Sequence, residues 1–69
     1  MTRYEAIYEK MKKEIVAGAY AYGERLPSKR DAAAREGVSV VTVEHAYALL
    51  EEEGYICSEA RRGYFTSYR

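Results

Sequence analysis

The 69-residue sequence contains few of the residues that build a disulfide framework, a metal centre or a membrane segment. Its one cysteine, Cys57, excludes an intramolecular disulfide and a cluster of thiolate metal ligands. No stretch approaches the roughly 20 apolar residues that a membrane-spanning helix needs. Residues 1–13 are charged where a signal peptide would be apolar. We therefore expect a cytoplasmic protein that has neither a membrane nor a metal as partner.

The chain is also too short and too poor in catalytic arrangements to favour an enzyme. A chain of this length buries only about 60% of its unfolded surface, which leaves room for one small core and no large cleft. The strongly apolar residues are scarce, and the 8 tyrosines must cover part of that core. The sequence shows no Ser/His/Asp arrangement, no paired carboxylates and no glycine loop that would hold a phosphate. We expect no catalytic activity from it.

Three segments have helical periodicity, and two short strands follow them. Helix-capping residues precede each helix, namely Thr2 with Glu5, Ser28 and Ser39. Gly37 separates the second helix from the third and forces a tight turn. The expected elements are helices from residue 2 to about Ala17, Lys29–Arg35 and Val40–Glu53, and strands over Tyr55–Ser58 and Tyr64–Ser67, with a connector over residues 18–27. A mainly α fold with a small β-hairpin, in which three helices are followed by a wing, is a winged helix-turn-helix.

Several runs of this sequence resemble the GntR family of bacterial transcription regulators. They are Arg25-Leu26-Pro27-Ser28-Lys29-Arg30-Asp31, Glu36-Gly37-Val38-Ser39, Thr42-Val43 and Leu50-Glu51-Glu52-Glu53-Gly54-Tyr55-Ile56. The resemblance implies that residues 1–69 are a single winged-helix DNA-binding domain, excised from a longer regulator that forms a homodimer.

Two residue pairs, Ala46-Tyr47 and Gly54-Tyr55, bear on the branch of the family. They are similar to the MocR-like branch, whose second domain resembles an aminotransferase that binds pyridoxal phosphate, and also to the short YtrA-like branch. We favour the MocR-like branch. No cofactor is expected in this chain, and pyridoxal phosphate would belong to a C-terminal domain outside it.

The resemblance also implies which residues contact DNA. Arg30 matches an arginine that the family places on DNA, Ser39 and Thr42 match hydroxyl positions that bond phosphates, and Gly63 lies at the wing turn. Three positions depart from the family pattern, because Val40 and Glu44 stand where many members have a basic residue and Arg61 stands where the wing usually has a glycine. The first two departures argue against a shared target sequence.

The distribution of charge agrees with a nucleic-acid partner, although the formal net charge is 0. Residues 25–43 carry a net +2 and residues 60–69 a net +3, whereas residues 44–59 carry −5. The positive segments are the second helix with the start of the third, and the wing, and these would face DNA. The acidic block, Glu51–Glu53, would lie at the far end of the third helix.

The start of the third helix and the wing tip supply the predicted contacts. Val40, Val41 and Thr42 would meet base edges, the valines against thymine methyl groups, with His45 one turn further. Helix-start packing for the valines and a solvated surface position for His45 stay open as alternatives. Glu44 would either accept a hydrogen bond from cytosine N4 or repel phosphate. The candidate DNA-binding residues are Ser28, Lys29, Arg30, Ser39, Val40, Val41, Thr42, His45, Arg61, Arg62 and Gly63.

Two function classes follow from these features. The first is sequence-specific binding of double-stranded DNA by a GntR-type transcriptional regulator, with the third helix in the major groove and the wing on the adjacent groove or backbone. The second is a winged-helix module that binds protein and not DNA, which the acidic block and the zero net charge would favour.

Overall fold

The computed structural model describes residues 2–68, which form three helices and an antiparallel hairpin. The elements are α1 (Arg3–Val16), α2 (Lys29–Glu36), α3 (Val40–Glu52), β1 (Ile56–Glu59) and β2 (Gly63–Thr66). In the hairpin, Ile56 lies opposite Thr66 and Glu59 lies opposite Gly63. The predicted winged helix-turn-helix, mainly α with a small β-hairpin, is confirmed.

The helix starts agree with the predicted caps, and the ends differ by one residue. The Thr2 side chain accepts from the Glu5 N–H at 3.2 Å and the Glu5 carboxylate accepts from the Thr2 N–H at 2.9 Å, so the capping box is complete. Ser28 and Ser39 each cap their helix through the side-chain oxygen. Gly37 adopts φ 67°, and this left-handed conformation lets α2 include Glu36 before the chain turns into α3. The strands are each shifted by one residue from the predicted ranges because the turn closes between Glu59 and Gly63.

The core lies between α1, α3 and the base of the hairpin. The inner face of α3 is fully buried, as its periodicity predicts, and consists of Val43, Ala46, Tyr47 and Leu50. Ile7, Met11 and Ile15 of α1, Ala32 and Ala33 of α2, Leu26 and Ile56 complete the buried cluster. Since α3 contacts both other helices and β1, its orientation sets the position of the outer face.

The connector also pairs with the hairpin, which the sequence did not predict. The Leu26 N–H donates to the Tyr64 carbonyl at 2.9 Å, and the Thr66 N–H donates to the Glu24 carbonyl at 2.9 Å. Arg25 forms an isolated bridge with Phe65. The glycine and proline residues of this segment are typical of a loop and not of a strand. The pairing itself leaves no signal in the sequence, because its bonds join backbone groups at the free edge of β2 and depend on no local residue pattern.

None of the helices within residues 2–68 has both the length and the apolar character to cross a membrane.

Candidate nucleic-acid interface

The outer face of α3 presents an apolar start that is not packed against the rest of the molecule. Val41 is 70% exposed and Val40 is 37% exposed. The alternative of helix-start packing therefore does not hold for Val41. Ser39 Oγ accepts from the Thr42 N–H at 3.2 Å and lies 2.9 Å from Thr42 Oγ1. Both hydroxyls are held at the first turn, beside the free N–H groups that attract phosphate at a helix N-terminus.

His45 lies at an exposed surface position, where its ring stacks on Tyr4 of α1. The two ring centroids are 3.9 Å apart and the ring planes differ by 7°. The contact fixes the imidazole at the side of α3 that faces α1. The sequence prediction missed this contact because Tyr4 is 41 positions earlier, and nothing local to α3 indicates it.

Glu44 lies on the side of α3 that faces α2, and it forms an ion pair with Lys29 of α2. The Nζ to Oε2 distance is 2.8 Å, and the side chains are 37% and 46% exposed for Lys29 and Glu44 respectively. The hydrogen bond that Lys29 donates to Glu44 raises the pKa of Lys29, with a smaller contribution from Tyr64 of β2. Lys29 therefore joins α2 to the outer face of α3. Arg30, next to it, is exposed on α2 and has no ion pair within the described part of the chain.

The wing turn contains a backbone conformation that explains the family's preference for glycine there. Arg61 adopts φ 65°, the one positive φ of a non-glycine residue among residues 2–68. The Arg62 N–H donates to the Glu59 carbonyl at 3.0 Å, so Arg61 occupies the third position of a four-residue turn, and its positive φ is one that favours glycine. The Arg62 guanidinium pairs with the Glu59 carboxylate at 3.1 Å and lies over the Phe65 ring at 5.5 Å. Both arginines are exposed, and Arg62 is in addition held by its contacts with Glu59 and Phe65.

Contacts along the hairpin show that the wing turn lies toward the N-terminal end of α3. At the base, the Ser67 hydroxyl donates to the Gly54 carbonyl at 2.9 Å, just beyond the C-terminal end of α3. Further along, Tyr64 meets Tyr47 edge to face at 4.7 Å. The hairpin therefore runs back alongside α3, and the turn that carries Arg61 follows in the same direction.

The structure adds two arginines to the candidate site that sequence analysis missed. Exposed Arg3 lines a small cavity with Gly37 and Val38, the turn that leads into α3. Arg25 lies against the wing, where its Nε is 3.3 Å from the position that a Cβ on Gly63 would occupy. Gly63, at φ 109°, therefore makes room for the Arg25 guanidinium. The sequence analysis assigned neither residue to the site, because each reaches it through tertiary packing.

The acidic block at the C-terminal end of α3 is used inside the molecule. Glu51 accepts from the Ser58 hydroxyl at 2.8 Å and from its N–H at 3.2 Å, which joins α3 to β1. Glu53 accepts from the Tyr8 hydroxyl and joins α3 to α1. Two of the three carboxylates thus have structural partners, which removes much of the reason to regard the block as a docking surface for protein.

Groups of metal ligands and cavities are the features of the described residues that bear on small ligands. Between Thr2 and Tyr68 no three His, Cys, Asp or Glu side chains form a group that could hold a metal ion. A cavity of about 450 Å³ between the connector and α2 is lined by Tyr20, Arg25, Asp31 and Arg35, among others.

Three comparisons with known proteins each find bacterial transcription regulators that are similar to this chain. The model of the family "Bacterial regulatory proteins, gntR family" matches residues 3–66. The uncharacterized HTH-type transcriptional regulator YdcR of Escherichia coli is 42% identical over 67 residues, which are 97% of this chain and 14% of that protein. A GntR family transcriptional regulator from Listeria monocytogenes superposes with a TM-score of 0.93 at 33% identity, covering 97% of this chain and 59% of that one.

A more distant structure shares the fold. The DNA-binding domain of AraR, crystallised in complex with operator ORR3, superposes with a TM-score of 0.93 at 23% identity, over 96% of this chain and 80% of that one. The chain described here spans about one seventh of the length of curated relatives such as YdcR.

Proposed function

Because the chain belongs to the GntR family of bacterial regulatory proteins, we propose that it binds double-stranded DNA sequence-specifically and serves as the DNA-binding part of a transcriptional regulator. In this proposal α3 enters the major groove, with Val40, Val41 and Thr42 at base edges. The wing turn, with Arg61, contacts the adjacent groove or the backbone.

The observation that carries this proposal is the collection of cations around the N-terminal end of α3 in a chain of zero net charge. Arg3 adjoins the turn before α3, Arg30 and Lys29 start α2, and Arg61 lies on the hairpin that runs back along α3. The Glu51 and Glu53 carboxylates are at the other end of the helix. This polarity would orient the domain on a duplex, because the Glu51 and Glu53 carboxylates repel phosphate at the other end of α3.

The proposal for the rest of the regulator rests on the family and on the greater length of the relatives. We propose that residues 1–69 belong to a longer protein that forms a homodimer, so that two α3 helices enter successive major grooves about 34 Å apart. Such a regulator would act in the cytoplasm, where the chromosome is, and this domain would have no catalytic role. Pyridoxal phosphate, if the MocR-like branch is right, would be bound outside this chain.

The proposal is tested by titrating the chain with mixed-sequence duplex DNA near 50 mM salt and then selecting bound sequences from a randomised duplex library. We expect binding that weakens steeply with salt, and Arg30→Ala lowers affinity for every sequence because one phosphate contact is lost. Val41→Ala changes the preferred sequence instead. Absence of any binding at low salt would favour the protein-interaction module.

A further inference from the structure

The recognition face of α3, by which we mean the exposed side that carries Val40, Val41 and Glu44, contains an acidic residue where a DNA-binding surface would not be expected to tolerate one. Glu44 follows Val40 by four positions and Val41 by three, so all three lie on neighbouring parts of one helix face. Its side chain is 46% exposed. A carboxylate that faces the phosphate backbone weakens binding unless its charge is compensated.

The structure supplies that compensation from a different element. Lys29 Nζ lies 2.8 Å from Glu44 Oε2, and Lys29 comes from α2 and not from the helix that carries Glu44. The ammonium therefore cancels the carboxylate charge and restricts where the carboxylate sits. An ammonium has three donors, so the bond to Glu44 leaves two of them available. The second oxygen of the Glu44 carboxylate is likewise available to accept a hydrogen bond from another partner.

The chemistry of the major groove decides which base can use that oxygen. A carboxylate is only an acceptor, so it is repelled by guanine N7 and O6 and by thymine O4. Adenine offers N6–H but has the N7 acceptor next to it. Cytosine offers its N4–H donor without an acceptor in the groove, and it is the base that a carboxylate suits best.

From this arrangement we infer that Glu44, held and neutralised by Lys29, is a specificity-determining residue that accepts a hydrogen bond from cytosine N4 in the operator. Glu44 contacts the base, and Lys29 is a positioning residue. The inference rests on the proposed function, because it names what one residue of the recognition face selects.

The test is selection of bound duplexes from a randomised library with the wild-type chain and with Glu44→Ala and Glu44→Gln, each confirmed by circular dichroism to be folded. We expect one position of the wild-type site to require a C·G pair, with roughly tenfold or greater preference over other pairs. Glu44→Ala loses that preference at this position alone. Glu44→Gln shifts it toward A·T, because an amide both donates to and accepts from adenine.

A second measurement shows whether Lys29 acts by positioning Glu44 or only by contacting a phosphate itself. Lys29→Met should weaken binding to the selected C·G site several-fold more in the wild-type background than in the Glu44→Ala background, because it leaves a carboxylate uncompensated only in the first. Arg30→Met, a neighbouring cation without an ion pair to Glu44, is the matched control and should weaken both backgrounds equally.

The outcomes also separate this inference from the proposed function. A wild-type chain that binds no duplex at low salt would overturn both. A chain that binds and selects a motif, while Glu44→Ala and Glu44→Gln select the identical motif, would overturn the role of Glu44 and leave DNA binding intact. Equal losses for Lys29→Met in the two backgrounds would overturn the positioning role.

Discussion

At the scale of single residues, the wing tip keeps a conformation that costs stability. An L-residue in the left-handed region costs about 1–2 kcal/mol, and Arg61 occupies it at φ 65°. Unfavourable backbone geometry of this kind persists where the side chain serves a function. Under the proposed function, DNA contact would be that role for Arg61, because the charge of an exposed arginine at a wing tip can reach a groove or a phosphate.

We therefore expect Arg61→Gly to affect stability and DNA affinity in opposite directions. Relief of the left-handed conformation, less the entropy that glycine adds to the unfolded chain, should raise the free energy of unfolding by about 0.5–1 kcal/mol. Affinity for duplex DNA should fall at the same time because a cation is lost. Thermal unfolding and a salt-controlled titration measure the two effects.

Arg61→Ala is the control for this pair of effects, since it removes the charge and keeps the unfavourable backbone. It should lose the same affinity without the gain in stability. A stabilised Arg61→Gly variant that binds DNA as tightly as the wild type would show that the side chain does not contact the duplex.

At the scale of elements, Tyr47 joins α3 to the connector through a buried hydroxyl. The Tyr47 hydroxyl donates to the Pro27 carbonyl at 2.9 Å, and its ring meets Tyr64 of β2. Burial raises the pKa of Tyr47 well above the ordinary value of 10.0. The hydroxyl therefore stays protonated in the folded protein after an unfolded tyrosine has ionised.

Tyr47→Phe should lower the free energy of unfolding by about 1 kcal/mol near neutral pH, because the Pro27 carbonyl loses its donor. Above pH 10.0 the unfolded wild-type chain releases the Tyr47 proton that the folded chain retains, so wild-type stability falls as pH rises. The difference between wild type and variant should then shrink or reverse. Denaturant unfolding at pH 7 and pH 10.5 measures it, and a constant difference across this range would contradict the argument.

The sequence was most informative about where the helices and the turn between α2 and α3 begin. Capping residues at Thr2, Ser28 and Ser39 and the left-handed turn at Gly37 are local signals, and each predicted element start or turn is present. The pairing of the connector with β2 was not predictable, because it depends on backbone groups that come together only after the helices pack.

The candidate site was predicted less completely than the fold. The outer face of α3 followed from periodicity, and Val41 is exposed as expected. The partners of His45 and Glu44 did not follow, since Tyr4 and Lys29 lie on other helices. Pair contacts between distant segments leave no periodic trace in one sequence, whereas a helix face does.

At the scale of the whole molecule, the separation of charge predicts which cations affect the salt dependence of binding. Arg3 lies at the end of α1 that adjoins the turn before α3. Lys13 is exposed in the last turn of the same helix, at the opposite end. The two residues carry the same charge on one helix and differ in which end of the molecule they occupy.

We expect Arg3→Ala to reduce the slope of log K against log salt by about 0.9, the value for one lost phosphate contact on duplex DNA. Lys13→Ala should leave the slope unchanged. Titrations at four or more salt concentrations give both slopes. If the two variants behave alike, the field of the molecule is not concentrated at the Arg3 end.

The direction of α1 has a practical consequence for experiments with this protein. Tyr4 stacks on His45 near the start of α3, so the chain enters α1 on the side assigned to the duplex, while Tyr68 stacks on Tyr55 at the other end. A purification tag or fluorescent label joined before Thr2 would compete with nucleic acid for space. The same group attached after Tyr68 would stand clear of it, and binding assays should use that arrangement.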